Sequence, residues 1–255
     1  MGIGVAELEF VLRIKDYIRG DALQLGRQGM HIVWTQESFN AAYETFKRYQ
    51  PDGNFDDILA TRPHADALFK YLGASNVESL DYSPFEDASI IHDLNNPIPP
   101  ELYNRFDFIY DGGTIEHIYD IKMTMENIKG MLRVGGIFAG LACADGCLGH
   151  GFYQFSPELY RTVFSEENGY KIHVFDLVAT SDTFGTFTPL PAPPKGQRQE
   201  IKQPTPLSLQ NGFVIEKLRE DAKVPEYQQS DYVANWDYYK SRTNSTPNTL
   251  VYKTS

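Results

Sequence analysis

The sequence predicts a doubly wound, mostly parallel α/β sheet, and three observations carry that expectation. Apolar runs recur near positions 22, 77, 88, 106 and 136, with helical material between several of them. The stretch from Phe106 to Gly136, FDFIYDGGTIEHIYDIKMTMENIKGMLRVGG, reads as strand, glycine turn, amphipathic helix and glycine pair, the unit from which parallel sheets are built. Asp111-Gly112-Gly113 and Glu116-His117 stand where that unit's first strand ends, which is where open α/β sheets bind ligands.

Taken in chain order, residues 5–19 place Val5, Leu8, Val11, Leu12 and Ile18 on one side and Glu7, Arg13 and Lys15 elsewhere, an amphipathic helix. Ala22–Leu25 follows as a short strand leading into Gly26. His31–Trp34 reads as extended, and Ser38 is placed to cap a helix that runs to Tyr49. A polar connection precedes a helix near His64–Leu72, and Val77–Asp81 and Ala88–His92 are the next strands. Phe106, Phe108, Ile109 and Tyr110 form an apolar run broken only by Asp107, as in a strand covered on both faces. Ile121, Met125, Ile128 and Leu132 share one helix face, and Gly135-Gly136 are expected to end that helix before the strand Ile137–Leu141. Ser156-Pro157-Glu158 has the cap, first-turn proline and early acid of a helix start, and Tyr170–Val178 reads as a strand. Prolines 189, 191, 193, 194, 204 and 206 predict that residues 181–208 form an irregular loop or lid. Phe213–Glu220 reads as a last strand or helix, and QQSDYVANWDYYK as a helix.

The 255 residues suit one domain, with an N-terminal helix (1–19) and a helical insertion beside the site (27–75) as its additions. With 23 basic against 34 acidic side chains the net charge is −11, which leans against nucleic acid or an anionic membrane as partner. No apolar run approaches the roughly 20 residues that span a bilayer, and the first residues lack the pattern of a signal peptide. Cys143 and Cys147 are too few for a disulfide framework or a zinc site and read as two free thiols in a reducing cytoplasm. A soluble, cytoplasmic protein acting on a small molecule is expected.

The FD-type strand, the Glu116-His117 pair and the L-x-x-G-G turn of residues 132–136 resemble the fourth and fifth strands of class I S-adenosylmethionine-dependent methyltransferases. The likeness spans roughly residues 20–180 and implies a seven-stranded Rossmann-like sheet that binds S-adenosylmethionine along the ends of its first four strands. Carried over residue by residue, it assigns the cofactor to Leu25, Gly26 and Arg27 after the first strand. Asp81 and Tyr82 follow at the second strand, His92, Asp93 and Leu94 at the third, and Asp111, Gly112 and Gly113 at the fourth. In the family the acid matching Asp81 accepts from both ribose hydroxyls, and the one matching Asp93 from the adenine amine. An ionised carboxylate suits either role, because it only accepts and can take two donors at once. The chain departs from the pattern in its first turn, where Gln24 replaces an acid and Gln28 a glycine, and in the fifty-five residues from Gly26 to Asp81. A narrower likeness, in LGRQ, SIIHDLNNPIP and GHGFYQFSPELYRTVF, points to a bacterial subgroup of capsule, surface-sugar and natural-product pathways, which shares the altered first turn.

A sulfonium methyl is already activated, so the protein need only align the acceptor, exclude water and, for a hydroxyl, take up a proton. Histidine is the usual residue for the proton. His150, on a glycine-flanked turn after the fifth strand, is the first choice and His117 the second, with Tyr153 and Gln154 as substrate contacts. No set of oxygen ligands assembles from the sequence, so no metal is expected. The expected reaction is methyl transfer to an oxygen, hydroxyl or phosphate-type, of a small polar metabolite or sugar intermediate. An amine or guanidine acceptor is the alternative, as is a scaffold that binds the cofactor without turnover. A nicotinamide oxidoreductase would carry G-x-G-x-x-G after the first strand, and GRQGMH lacks it.

Overall fold

The computed structural model describes residues 2–194, 196–201, 207–220 and 227–243. Among the described residues eight strands form one sheet: β1 (Gly20–Leu25), β2 (Ala74–Asp81), β3 (Ile90–Ile91), β4 (Phe106–Asp111), β5 (Leu132–Asp145), β6 (Tyr170–Thr180), β7 (Gly185–Pro189) and β8 (Ser208–Lys217). Their order across the sheet is β3-β2-β1-β4-β5-β8-β6-β7. The pairings among β1 to β5 are all parallel, whereas β8 runs antiparallel to both β5 and β6, and β7 antiparallel to β6. The order steps outward from β1 in both directions, so a crevice opens where β1 and β4 diverge.

Side chains alternate across the sheet and feed two cores. Phe108, Tyr110, Ala139 and Leu141 face α1 (Val5–Arg13), α2 (Gln36–Tyr49) and α3 (Asp66–Tyr71). Ile109 and Phe138 face the opposite way, onto Met125, Ile128 and Met131 of α4 (Ile121–Met131) and Tyr160 and Val163 of α5 (Pro157–Val163). The sheet is therefore the middle of three layers. A last helix, α6 (Ser230–Thr243), follows it.

Several sequence expectations are corrected by particular contacts. The sheet has eight strands where seven were expected, because β7 forms inside the proline-rich stretch. Pro189 is tolerated there as the last residue of an edge strand, where no further ladder donor is needed. Lys195 and residues 202–206 of that stretch lie outside the described residues. The first helix stops at Arg13, and Lys15–Tyr17 is a separate 3-10 turn. His31–Val33 is likewise a 3-10 turn and not extended. Thr35, not Ser38, caps α2: its hydroxyl accepts the Ser38 amide at 3.0 Å, and the Ser38 hydroxyl takes the Thr35 amide in return at 3.3 Å. Helix α4 ends at Met131, and Gly135-Gly136 fall within β5, not at the helix end. Leu132 pairs with Phe106 and Ile137 with Phe108, so the residues between them bulge out, with Gly135 at φ +81°. The carbonyls at the end of α4 are met by Lys217, whose buried Nζ donates to Lys129 O at 3.0 Å and Leu132 O at 2.8 Å.

Cys143, in β5, and Cys147, in the turn after it, are joined by a disulfide, so the expected pair of free thiols is corrected. A Cα–Cα distance of 6.5 Å lies within the span a disulfide bridges. No helix among the described residues is long and apolar enough to cross a membrane.

Candidate functional site

Because β1 to β5 are parallel, their carboxyl ends share one edge of the sheet, and the segments that follow them build the candidate site. At the end of β1, Gly26 turns the chain with φ +65°, and its amide donates to Leu80 O at 2.8 Å. Gln28 folds back into this turn, fully buried, and its Nε2 donates to Leu25 O at 2.8 Å and Gly26 O at 3.4 Å. Arg27 points away from the turn. Its Nη1 donates to Glu86 O at 3.0 Å and Asp87 O at 2.7 Å, and its Nη2 lies 3.5 Å from Asp66 Oδ2. The guanidinium thus braces the loop after β2, and of the three residues expected here only Leu25 and Gly26 line the turn through their backbone.

Asp81 ends β2 half-buried, and its carboxylate accepts the Ser83 amide at 3.3 Å. Tyr82 beside it is 75% exposed. Asp93 is more fully engaged: it accepts from the Asn95 amide at 3.0 Å, Asn95 Nδ2 at 2.7 Å and Asn96 Nδ2 at 3.1 Å. The Asn95 hydrogen bonds hold its carboxyl below the usual aspartate range. His92 Nε2 lies 3.2 Å from Asn96 O, and Leu94 is buried beneath the loop. The whole loop hangs on Asn127 of α4, whose Nδ2 donates to Leu94 O at 3.0 Å and Asn96 O at 2.8 Å while its Oδ1 accepts the Ile98 amide at 3.1 Å. Nothing in the sequence singled out Asn127.

Asp111 ends β4 buried, with its side chain turned into the protein. Oδ1 accepts the Thr114 amide at 2.9 Å and the Ile115 amide at 3.4 Å, and Oδ2 is buried without a hydrogen-bond partner. Burial pushes this carboxyl well above the usual range, and the nearby Glu116 adds to the shift. Gly112 and Gly113 carry the chain past it, Gly113 at φ +87°. Glu116 is only 2% exposed; burial raises its carboxyl too, and its Oε2 has no hydrogen-bond partner.

The turn after β5 brings the predicted histidines together. Gly149 and Gly151, at φ +80° and +76°, flank His150, and the Phe152 amide pins the turn by donating to Glu116 O at 2.7 Å. His150 Nε2 then lies 3.8 Å from Glu116 Oε1, and its ring meets that of His117 edge to face at 4.8 Å. Burial lowers the pKa of His117, and His150 lowers it further. Tyr153 donates through its hydroxyl to Tyr119 O at 2.6 Å, and Gln154 Oε1 accepts the Cys147 amide at 3.0 Å. Both expected substrate contacts are thus also struts of the turn.

A cleft of about 490 Å³ opens beside this turn, lined by Gly112, Gly113, Glu116 and His150 together with Glu7, His31, Cys147 and Gln210. Asp81, Tyr82, His92 and Asp93 do not line it. The predicted residues therefore fall into two groups along the sheet edge, with Gly112-Gly113 between them. Glu7 and Gln210 entered the site unannounced, because α1 and β8 reach it only through the tertiary fold. A larger cavity, about 710 Å³, lies elsewhere, lined by Phe10, Arg13, Arg161, Asp176 and Leu190 among others, and none of the predicted site residues lines it.

No family model matches the chain, and no curated protein matches it either. Among solved structures it is similar to an S-adenosylmethionine-dependent methyltransferase from Aquifex aeolicus, with 12% identity over 83% of this chain and 90% of that one and a TM-score of 0.43. It is similar also to a 1,6-didemethyltoxoflavin-N1-methyltransferase from Burkholderia thailandensis, solved with S-adenosylhomocysteine, with 13% identity over 83% of this chain and 77% of that one and a TM-score of 0.43. The YcgJ protein from Bacillus gives 11% identity, 83% and 98% coverage and a TM-score of 0.42. Likeness at this level lends no weight to an activity or a substrate.

Proposed function

We propose that this chain is an S-adenosylmethionine-dependent methyltransferase acting on an oxygen of a small polar metabolite or sugar intermediate. One observation carries the reading: a sheet ordered β3-β2-β1-β4-β5-β8-β6, with antiparallel β8 inserted, sets Asp81, Asp93 and Gly112-Gly113 along one edge beside a cleft that holds His150. The residues present fit the cofactor. Asp81 keeps acceptor capacity beyond its single amide contact, and Tyr82 beside it is exposed. At Gly113 the missing side chain leaves the backbone open to a ligand, with Glu116 Oε1 the one atom near the place a β-carbon would take. Asp81 would take the ribose hydroxyls, and the Asp93 loop the adenine. Arg27 is assigned to bracing the Glu86–Asp87 loop and not to the cofactor itself.

When bound, S-adenosylmethionine would supply an activated methyl group and leave as S-adenosylhomocysteine. The chain's own residues hold the acceptor in the cleft and accept its proton. His150 Nε2 is the proposed acceptor of that proton, with the Glu116 carboxylate 3.8 Å away to stabilise the imidazolium. His117, held neutral by its surroundings, is the second choice. A cleft of about 490 Å³ suits a metabolite and not a polymer. The Glu7 and Glu116 carboxyl groups in its wall also favour a second reading, in which the acceptor is an amine held beside these acids and methylated in its neutral form.

The test is thermal stabilisation by S-adenosylhomocysteine and, separately, by NAD. A ligand at about 100 times its dissociation constant adds roughly 2.7 kcal/mol to the folded state. Stabilisation by the homocysteine compound alone is expected; stabilisation by NAD alone would overturn the reading. Methyl transfer from labelled S-adenosylmethionine to panels of hydroxylated and of amine metabolites then separates the two acceptor classes.

A further inference from the structure

We infer that Glu116, His117 and His150 form a binding site for one divalent transition-metal ion at the mouth of the acceptor cleft. Each offers one ligand atom, and the three atoms lie within 4.8 Å of one another. A tetrahedral ion with bonds near 2.0–2.1 Å wants its ligands about 3.3 Å apart, and His150 Nε2 already stands 3.8 Å from Glu116 Oε1. Side-chain rotation closes the rest, since both imidazoles are exposed. The backbone beneath them is fixed by the Phe152 amide on Glu116 O at 2.7 Å.

A second observation points to the same place. Glu116 is 2% exposed, yet its Oε2 has no hydrogen-bond partner. A buried carboxylate short of donors is costly, and a cation held at its other oxygen, Oε1, which faces His150, would offset that charge. A β-carbon on Gly113 would stand 3.2 Å from Glu116 Oε1, so a glycine there keeps the approach to that oxygen clear. Two imidazoles and one carboxylate are the donor set of zinc and its first-row neighbours; magnesium and calcium prefer oxygen throughout. Three protein ligands leave at least one position open, and Glu116 and His150 both line the cleft, so that position faces the acceptor.

The role of the ion rests on the methyl-transfer reading above. An acceptor hydroxyl bound at the open position has its pKa lowered, so its O–H proton leaves to solvent and the oxygen is held as a ready nucleophile. A histidine bound to the ion cannot also take the proton, so the role of His150 as proton acceptor belongs to the metal-free site and the ion replaces it in the loaded one. The acceptor class narrows accordingly, to a metabolite whose hydroxyl can reach a metal.

The intact chain, stripped with a chelator, is titrated with zinc chloride by calorimetry and with cobalt(II) by visible absorption. One equivalent of zinc and cobalt bands of low-coordinate type are expected. His117→Ala and His150→Ala, both at exposed positions, should each weaken zinc binding at least about tenfold, and Glu116→Gln should do so with little change of shape. Absence of zinc binding in the wild-type chain, or an unchanged isotherm in both histidine variants, would overturn the site. S-adenosylhomocysteine is titrated into the same proteins. Zinc binding without it leaves the metal site standing and removes the methyltransferase reading, and the converse result removes the metal site alone.

Discussion

The side-chain amide of Gln28 occupies the space that a side chain on residue 112 would need. A β-carbon built on Gly112 collides with Gln28 Oε1 and stands 2.9 Å from the Tyr110 ring. The unusual first turn and the glycine of the fourth strand are thus two halves of one packing solution: the buried glutamine closes the β1 turn through Leu25 O and Gly26 O and is accommodated because Gly112 has no side chain.

Gly112→Ala should therefore destabilise the fold by about 1–3 kcal/mol, the range for overpacking a tight interior. Gln28→Ala in the same chain should restore part of the loss, because it vacates the space. Urea midpoints of the two single variants and the double variant give the coupling.

Asp81→Ala should weaken S-adenosylhomocysteine binding by roughly 10- to 100-fold, since a hydrogen bond to a charged group is worth about 1.5–3 kcal/mol. The residue is half-buried and has one local contact, so the melting temperature without ligand should barely move. An unchanged dissociation constant would remove Asp81 from the cofactor site.

Asn127→Ala acts on the loop that carries Asp93. It strips donors from Leu94 O and Asn96 O and the acceptor from the Ile98 amide, all beneath the Asp93 loop. A cost of at least about 1–3 kcal/mol in stability is expected for buried groups left without partners. Hydrogen exchange at residues 93–98 should rise more than at β4, which locates the damage in the loop.

His31 gives the fold a pH dependence of known sign. Burial lowers its pKa to about 4, and its ring stacks on Trp34 at 3.7 Å. The unfolded chain, near 6.5, takes up the proton first, so stability falls as pH drops through that value and goes on falling until about 4. Urea midpoints between pH 4 and 8 should show this slope in the wild type and lose part of it in His31→Gln.

What could be read from the sequence is what depends on local periodicity. The strand from Phe106, the start of α5 at Ser156-Pro157 and the strand at Tyr170 all follow from patterns within a dozen residues. The failures have a common cause in contacts made at a distance or by a neighbour. Thr35 and Ser38 are both good caps, and only the reciprocal bonds between them decide which one starts α2. Gly135-Gly136 look like a helix end, yet the pairing of Leu132 with Phe106 draws the strand back to the last turn of α4. Gln28 stood out as a mismatch, but the Gly112 beside it lies eighty-four residues further along the chain. The number of cysteines says nothing about the distance between them, which the turn that joins them sets.

Strand β8 is the last of the described strands in sequence but lies between β5 and β6. Until residues 208–217 are in place, the sheet exists as two separate pieces, β3-β2-β1-β4-β5 and β6-β7, each with a bare edge of unpaired backbone. A nascent chain can therefore form the parallel strands while it is still being made, but it cannot seal the two pieces into one body before β8 emerges. Any protein shortened ahead of Ser208 should self-associate through those edges and not merely lose stability.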